Sequence, residues 1–327
     1  MNATERNPPF SQTKELGRML TQDQIDYFHQ NGYLIMRGLF KGKELELLQR
    51  AADEVQAQGV ARQGQNHRYY KNRDGSETYW RSEDMWNRGD IFKAATVKQE
   101  LLENIGQIIG HSFYPWNDSL VVKLPHSGAP VHWHQDPPYG AKARDKTFGI
   151  PNFTTDIYLD HSGPDNGCVY AIHGRHLVGH VDLKKVSEED LYTKCGAVPL
   201  EMEAGDVLFH CLSTPHGSSY NHSDIQRRIF YVHYLNEEVY QDSYAPEPWA
   251  KELPGWSEKR RAQIAEMLDV RKAMGFEETK LDGTLRFDEN GISFAGGGPV
   301  TPPRYWETLA SDITAEQWAE KKVVQRI

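Results

Sequence analysis

The stretch Val131-His132-Trp133-His134-Gln135-Asp136 places a histidine and a carboxylate two positions apart. On a strand, residues i and i+2 project to one face, so His134 and Asp136 can present an imidazole nitrogen and a carboxylate oxygen to one point. A metal held there needs a third protein ligand. The best candidate is His216, in Ser213-Thr214-Pro215-His216-Gly217-Ser218. Two histidines and one carboxylate on one face, with the other coordination positions open, suit a non-haem Fe(II) centre that uses O2. With 14 histidines and 46 acidic residues, an isolated His-x-Asp pair is expected by chance. Context gives this one weight: an apolar run precedes it, and Pro137-Pro138 ends the strand just after it. Arg227 stands 11 positions beyond His216 at the entry to another strand. Its guanidinium fork suits bidentate capture of a carboxylate. Metal ligands with a remote arginine would fit a 2-oxo acid, chelating iron through its C1 carboxylate and ketone while its far carboxylate meets the arginine.

Several neighbours compete for these roles. His132 shares the face of His134 and reads as a pocket residue rather than a rival ligand. Tyr139, just past the ligand strand, is a candidate for the pocket wall. Trp133 points the opposite way and should pack. Arg228 should face away from Arg227 as a surface or ion-pair residue, and a one-residue register slip would exchange the two. His210 reads as a core histidine. His173, His176 and His180 lack an acid in register for a second metal. Cys168 and Cys211 read as small core residues.

The elements that must position these groups begin with a helix opened by Thr21-Gln22-Asp23-Gln24, a capping-box pattern, and ended by Asn31-Gly32. Tyr33–Met36 reads as a buried strand and residues 41–58 as an amphipathic helix. Residues 59–92, where arginines alternate with aromatics, read as a solvated loop region, or as a mobile pocket wall. Residues 96–109 read as one helix. From Asp118 the period changes to that of strands: 119–124, 129–134, 153–159, 168–172, 198–202, 206–210 and 228–234, separated by turn sequences such as Asp165-Asn166-Gly167 and Ala204-Gly205-Asp206. Many short strands imply a sandwich or jelly roll. Residues 257–274 read as a helix, 291–303 as a Gly/Pro-rich loop and 314–323 as a last helix. The expected division is a flexible lead-in over 1–20, one β-rich domain with N-terminal helices over 21–239, and an extension packed on it over 240–327.

The chain has 327 residues and is 38% hydrophobic and 25% charged, a globular composition. A net charge of −9 argues against nucleic acid or anionic membrane as a partner. Three cysteines form neither a disulfide framework nor a metal-type spacing. No apolar run reaches the length of a spanning helix, and the first residues lack a signal-peptide core. The expectation is a cytoplasmic protein acting on a small molecule, with its oligomeric state open.

The pattern as a whole resembles the phytanoyl-CoA dioxygenase family of Fe(II)/2-oxoglutarate oxygenases over about residues 21–236. The resemblance rests on Asn31-Gly32-Tyr33, His134-Gln135-Asp136, the Gly167 turn, Ala204-Gly205-Asp206, and His216-Gly217-Ser218 through Arg227. It implies a double-stranded β-helix, a cupin-like jelly roll, flanked by helices. It implies iron held by His134, Asp136 and His216, and the 2-oxoglutarate tail held by Arg227 with help from Ser218 and, more weakly, Lys123. O2 and 2-oxoglutarate would be cosubstrates, with release of succinate and CO2. Related halogenases lack the carboxylate ligand, so Asp136 favours hydroxylation, with desaturation or ring closure as alternatives. His173-Gly174-Arg175-His176 departs from the Pro-Gly-Ser-His common in the family, which bears on substrate contacts. Two further readings remain open. One is a binding protein that kept the barrel without turnover, against which the intact ligand set argues. The other is a zinc hydrolase, for which no HExxH arrangement is present.

Overall fold

Thr21 opens the first helix as a reciprocal cap. Its hydroxyl accepts from the Gln24 N–H, and the Gln24 side chain accepts from the Thr21 N–H at 3.0 Å. Helix α1 (Gln22–Asn31) follows, then strand β1 (Tyr33–Met36) and helix α2 (Gly42–Val60). The structure is a computed structural model describing residues 19–110, 113–136, 153–178, 183, 186–236, 253–276, 278, 284–288 and 291–295. Tyr139, Pro137-Pro138, His180, residues 1–18 and the expected helix over 314–323 lie outside the described residues.

Residues 59–92, expected as a loop, are largely regular. Strands β2 (His67–Lys71) and β3 (Glu77–Glu83) form an antiparallel hairpin around Asp74-Gly75. The Asp74 side chain accepts the Ser76 N–H at 2.9 Å and closes the turn. The expected single helix over 96–109 is two: α3 (Asp90–Thr96) and α4 (Gln99–Ile109). The break falls at Thr96-Val97, where two β-branched residues adjoin and the Thr96 hydroxyl turns back to the Phe92 carbonyl.

The remaining elements are β4 (Phe113–Lys123), β5 (Val131–His134), β6 (Phe153–Tyr158), β7 (Val169–Ala171), α5 (Glu188–Thr193), β8 (Val198–Leu200), β9 (Val207–Cys211), β10 (His216–Ser218), β11 (Arg227–Asn236), α6 (Leu253–Ala273), β12 (Thr284–Asp288) and β13 (Gly291–Ala295). Residues 291–295 therefore pair as a hairpin strand rather than extending the expected loop.

Two antiparallel sheets make the body. The larger runs β1-β9-β6-β11-β4-β3-β2 and the smaller β5-β10-β7-β8. Alternation along each strand divides the core. Leu120, Val122, Phe209, Phe230 and Val232 face the helices, in one cluster with Phe28, Leu48, Phe92 and Leu101. Tyr158, Leu208 and Ile229 face the smaller sheet, in a second cluster with Val169, Ala171 and Leu200. This is the expected jelly roll with helices on one side. Helix α6 adds Ile264 and Met267 to the helix-side core. Its Arg271 donates to Glu44 at 2.7 Å and to the Ala94 carbonyl at 2.9 Å.

Candidate metal centre

The smaller sheet brings the two halves of the ligand set together. Strands β5 and β10 are antiparallel partners, with His134 directly opposite His216. Across the following turn, the Asp136 N–H donates to the Leu212 carbonyl at 2.8 Å and the Gln135 amide to the Ser213 carbonyl at 2.6 Å. These bonds fasten the His-x-Asp segment to the chain that leads into His216.

His134, Asp136 and His216 each offer a ligating atom, and these atoms lie within 4.8 Å of one another. The same local device orients both imidazoles. His134 Nδ1 bonds the carbonyl of His132 at 2.8 Å, and His216 Nδ1 bonds that of Thr214 at 2.9 Å. Each ring thereby carries its proton on Nδ1 and turns Nε2 toward the common point, the arrangement metal-bound histidines use. His134 Nε2 lies 3.6 Å from Asp136 Oδ1. Burial alone would raise the Asp136 carboxyl, but the contact with His134 and the nearby His216 and His233 hold it well below the usual carboxylate range. Burial, reinforced by His134, pushes His216 down to about 3, so its ring is neutral at pH 7 and able to ligate. Burial lowers His134 too, but the Asp136 contact outweighs it and the net direction is up. An anionic oxygen and two imidazole nitrogens converging on one point fit a ferrous ion.

Arg227 begins β11, opposite Lys123 of β4. It is 1% exposed, and its Nε and Nη1 have no hydrogen-bond partner. A buried guanidinium with two unsatisfied donors is costly unless an anion meets it. Tyr158 lies diagonally across on β6, opposite Ile229, and its buried hydroxyl also has no partner. Two such donors on one face of the barrel fit the distal carboxylate of a 2-oxo diacid.

The family model described as Phytanoyl-CoA dioxygenase (PhyH) matches residues 28–229. The chain belongs to this family. A probable alpha-ketoglutarate-dependent hypophosphite dioxygenase of Stutzerimonas stutzeri is 25% identical, with 66% of this chain and 78% of that protein covered. A methylphosphonate hydroxylase of Gimesia maris is 24% identical over 68% of this chain and 86% of that protein. Among solved structures, EctD from S. alaskensis with 2-oxoglutarate and 5-hydroxyectoine has the same fold, with a TM-score of 0.57 at 18% identity over 72% of this chain and 82% of that one. The protein is an Fe(II)- and 2-oxoglutarate-dependent dioxygenase, and the residues just described fit both groups.

The other expected residues fall as follows in this PhyH-family chain. Ser218 is buried two positions after His216 on the same strand. Lys123 is fully buried, and its Nζ donates to the carbonyls of Ala129 and Ser219. Burial, with Arg227 adding to it, lowers Lys123 to about 6. The lysine thus ties the β4–β5 connection to the end of β10. Arg228 faces away from Arg227 and is an ion-pair residue, the second of its two expected readings, though a buried one. Asp160 takes its Nε and Nη2 at 2.8 and 2.9 Å, and Asp53 its Nη1. His132 is exposed, on the same edge strand as His134. Trp133 packs edge-on against Tyr192 at 5.1 Å, as expected of a packing residue. His176 is buried with Nε2 on the His29 carbonyl at 2.9 Å, so it is engaged by protein rather than free for a metal.

His210 is more than a core histidine. Its ring centroid is 4.7 Å from that of His216, and its Nε2 is 3.4 Å from Asp156. Burial alone would lower His210, but Asp156 raises it overall. His210, Asp156, Tyr158, Tyr231 and His233 were not singled out as site residues by sequence. The alternation of β6, β9 and β11 puts each of them on the face opposite the helix-side core residues, but nothing local marks that face as lying against the metal ligands.

Proposed function

We propose that His134, Asp136 and His216 hold the iron, that Arg227 holds the distal carboxylate of 2-oxoglutarate, and that the enzyme hydroxylates a small or medium-sized metabolite in the cytoplasm. Bound there, iron supplies the oxidising chemistry, coupling O2 use to decarboxylation of 2-oxoglutarate to succinate and CO2. The chain's own part is placement. His132 and Thr214 carbonyls fix the two imidazoles in one tautomer. Arg227 binds the tail through a charge-assisted fork, Tyr158 adds a hydroxyl donor, and Ser218, on β10 of the smaller sheet, adds a hydrogen bond. The Lys123 amine keeps its backbone partners and stands opposite Arg227, beside this fork. The apolar cluster of Val169, Ala171, Leu208 and Ile229 keeps water from the cosubstrate's methylenes. Desaturation or ring closure by the same oxidant remains the second reading of the outcome. Residues 240–327 are an extension of the same domain in this reading.

The observation that carries the proposal is the convergence of three ligating atoms within 4.8 Å in the same barrel as a buried, unpartnered arginine. The test is succinate release from 2-oxoglutarate under Fe(II) and O2, comparing the wild type with Asp136→Ala. The wild type should release succinate only when all three are supplied, and the folded variant should release none above background. Unchanged release by the variant would remove Asp136 from the iron shell.

A further inference from the structure

The β2–β3 hairpin contains an irregularity that bears on the substrate. Arg68 pairs with Arg81 and Tyr69 with Tyr79, which leaves Trp80 as an extra residue on β3. Such a bulge redirects side chains, and bulges recur next to active sites for that reason. Here its effect follows from the neighbours. Tyr79 belongs to the helix-side core, and Ser82, bonded to the Tyr79 hydroxyl at 2.6 Å, points the same way. Arg81 is opposite Val121, which is opposite Ile229 of the inter-sheet core, so Arg81 points into the barrel. With the extra residue, Trp80 does so too, and the Arg81 guanidinium lies 4.7 Å from the Trp80 ring centroid.

Two donors on these adjacent residues are unused. Trp80 Nε1 and Arg81 Nε are both buried without a hydrogen-bond partner. Arg81 makes two other contacts: Nη1 to the Tyr231 hydroxyl at 3.3 Å and Nη2 to Glu83 Oε1 at 2.6 Å. Glu83 cannot neutralise it fully, because its other oxygen accepts from Arg68 Nε and Nη2 at 3.0 and 2.6 Å. One carboxylate thus faces two guanidiniums, and a positive charge is left over on the barrel face. Tyr231, which accepts from Arg81, is opposite Asp156; Asp156 lies 3.4 Å from His210 Nε2, and the His210 ring is 4.7 Å from that of His216, so Tyr231 stands between the bulge and the iron ligands.

We propose that the Trp80–Arg81 bulge is the substrate-recognition element of this enzyme, and that it binds an anionic group of the substrate, a carboxylate or a phosphonate, remote from the carbon that is oxidised. The proposal rests on the dioxygenase reading of the His134–Asp136–His216 site. Arg81 Nε and Trp80 Nε1 are the donors for that anion, and Tyr231 lies on the path from it to the iron.

Calorimetric titrations of the anaerobic Ni(II)-loaded protein, saturated with 2-oxoglutarate, test this. The probes are methylphosphonate, propanoate and neutral dimethyl methylphosphonate. The wild type should bind at least one anion and not the neutral ester, and the tighter anion identifies the group. Arg81→Gln should weaken that anion by ~10-fold or more, the scale of a lost charge-assisted hydrogen bond. Trp80→Phe, which keeps the ring and removes one donor, should weaken it by a few-fold. Neither change should alter 2-oxoglutarate affinity, whereas Arg227→Gln should. If Arg81→Gln does not fold, Arg81→Lys keeps the charge without the fork and should still weaken the anion. Equal binding of ester and anion, undiminished anion binding in the folded variants, or no anion binding by a wild type that still binds 2-oxoglutarate would each overturn the proposal and leave the dioxygenase assignment intact. Loss of 2-oxoglutarate binding in the wild type would instead strike that assignment.

Discussion

Adjacent arginines on β11 divide two tasks by the pleat alone. Arg227 points into the barrel with unsatisfied donors, while Arg228 points toward α2 and is saturated by Asp160, Asp53 and the Gln49 carbonyl. Arg227→Ala should therefore raise the 2-oxoglutarate requirement ~10–100-fold, the equivalent of ~1.5–3 kcal/mol for a charge-assisted bond. Arg228→Ala should leave that requirement alone and lower stability by ~3 kcal/mol, since it strands the mostly buried Asp160. Steady-state kinetics with denaturant unfolding of both variants checks the pair; the opposite assignment of effects would mean that the strand register is wrong. At this scale much was readable in the sequence. The His-x-Asp pair, the later histidine and the arginine are local patterns set by a two-residue period. His210 was not readable as a site residue, because what brings it against His216 is pairing of β9 with β6 and β1, far apart in the chain.

At the level of elements, the ligand loop is braced by α1. The Gly32 carbonyl accepts from the Cys211 N–H and the Thr214 hydroxyl, both at 2.8 Å. Gly32 itself has φ +81°, and a Cβ there would come within 2.4 Å of Thr214 Oγ1 and 2.5 Å of His176 Nδ1. The helix-ending glycine of Asn31-Gly32-Tyr33 thus also positions Thr214, whose carbonyl orients His216. Gly217 has a different reason: a Cβ there would sit 3.1 Å from the Trp133 ring and the Val131 carbonyl. Gly32→Ala should lower stability and weaken Fe(II) binding together, measured by thermal melting and anaerobic metal titration. A loss of stability with unaltered metal affinity would mean that the brace does not reach the site. The second half of β4 and strands β5 to β9 and β11 were legible because alternation runs between turn residues, whereas the three-residue β10 and the β12–β13 hairpin were not read as strands. The β2–β3 hairpin was missed even though Asp74-Gly75 is a strong hairpin signal. The extra residue at Trp80 broke the two-residue period, and the arginine-rich composition looked solvated.

For the molecule as a whole, burial of neutral histidines sets a pH limit. Burial lowers His29 to about 4 and His176 to about 3. In the unfolded chain both titrate near ~6.5. Between those values the unfolded state holds more protons, so stability rises with pH across this window and is lost as pH falls from ~6.5 toward ~3. The melting temperature should drop between pH 7 and pH 5, and His176→Gln should flatten that drop. An equal slope in the variant would exclude His176 as a source. The jelly-roll class could be inferred from many short strands. That the larger sheet extends to seven strands, and that α6 shares the core of α2 and α3 through Arg271 and Met267, could not, because both depend on contacts between segments remote in sequence.

The proposed centre is one ion held by three side chains. Anaerobic equilibrium titration with Fe(II) should give one site per chain in the wild type. Single changes of His134, Asp136 or His216 to alanine should each abolish that site while the folded spectrum persists. Full Fe(II) occupancy in any one of those three variants, at wild-type affinity, would contradict the centre described here.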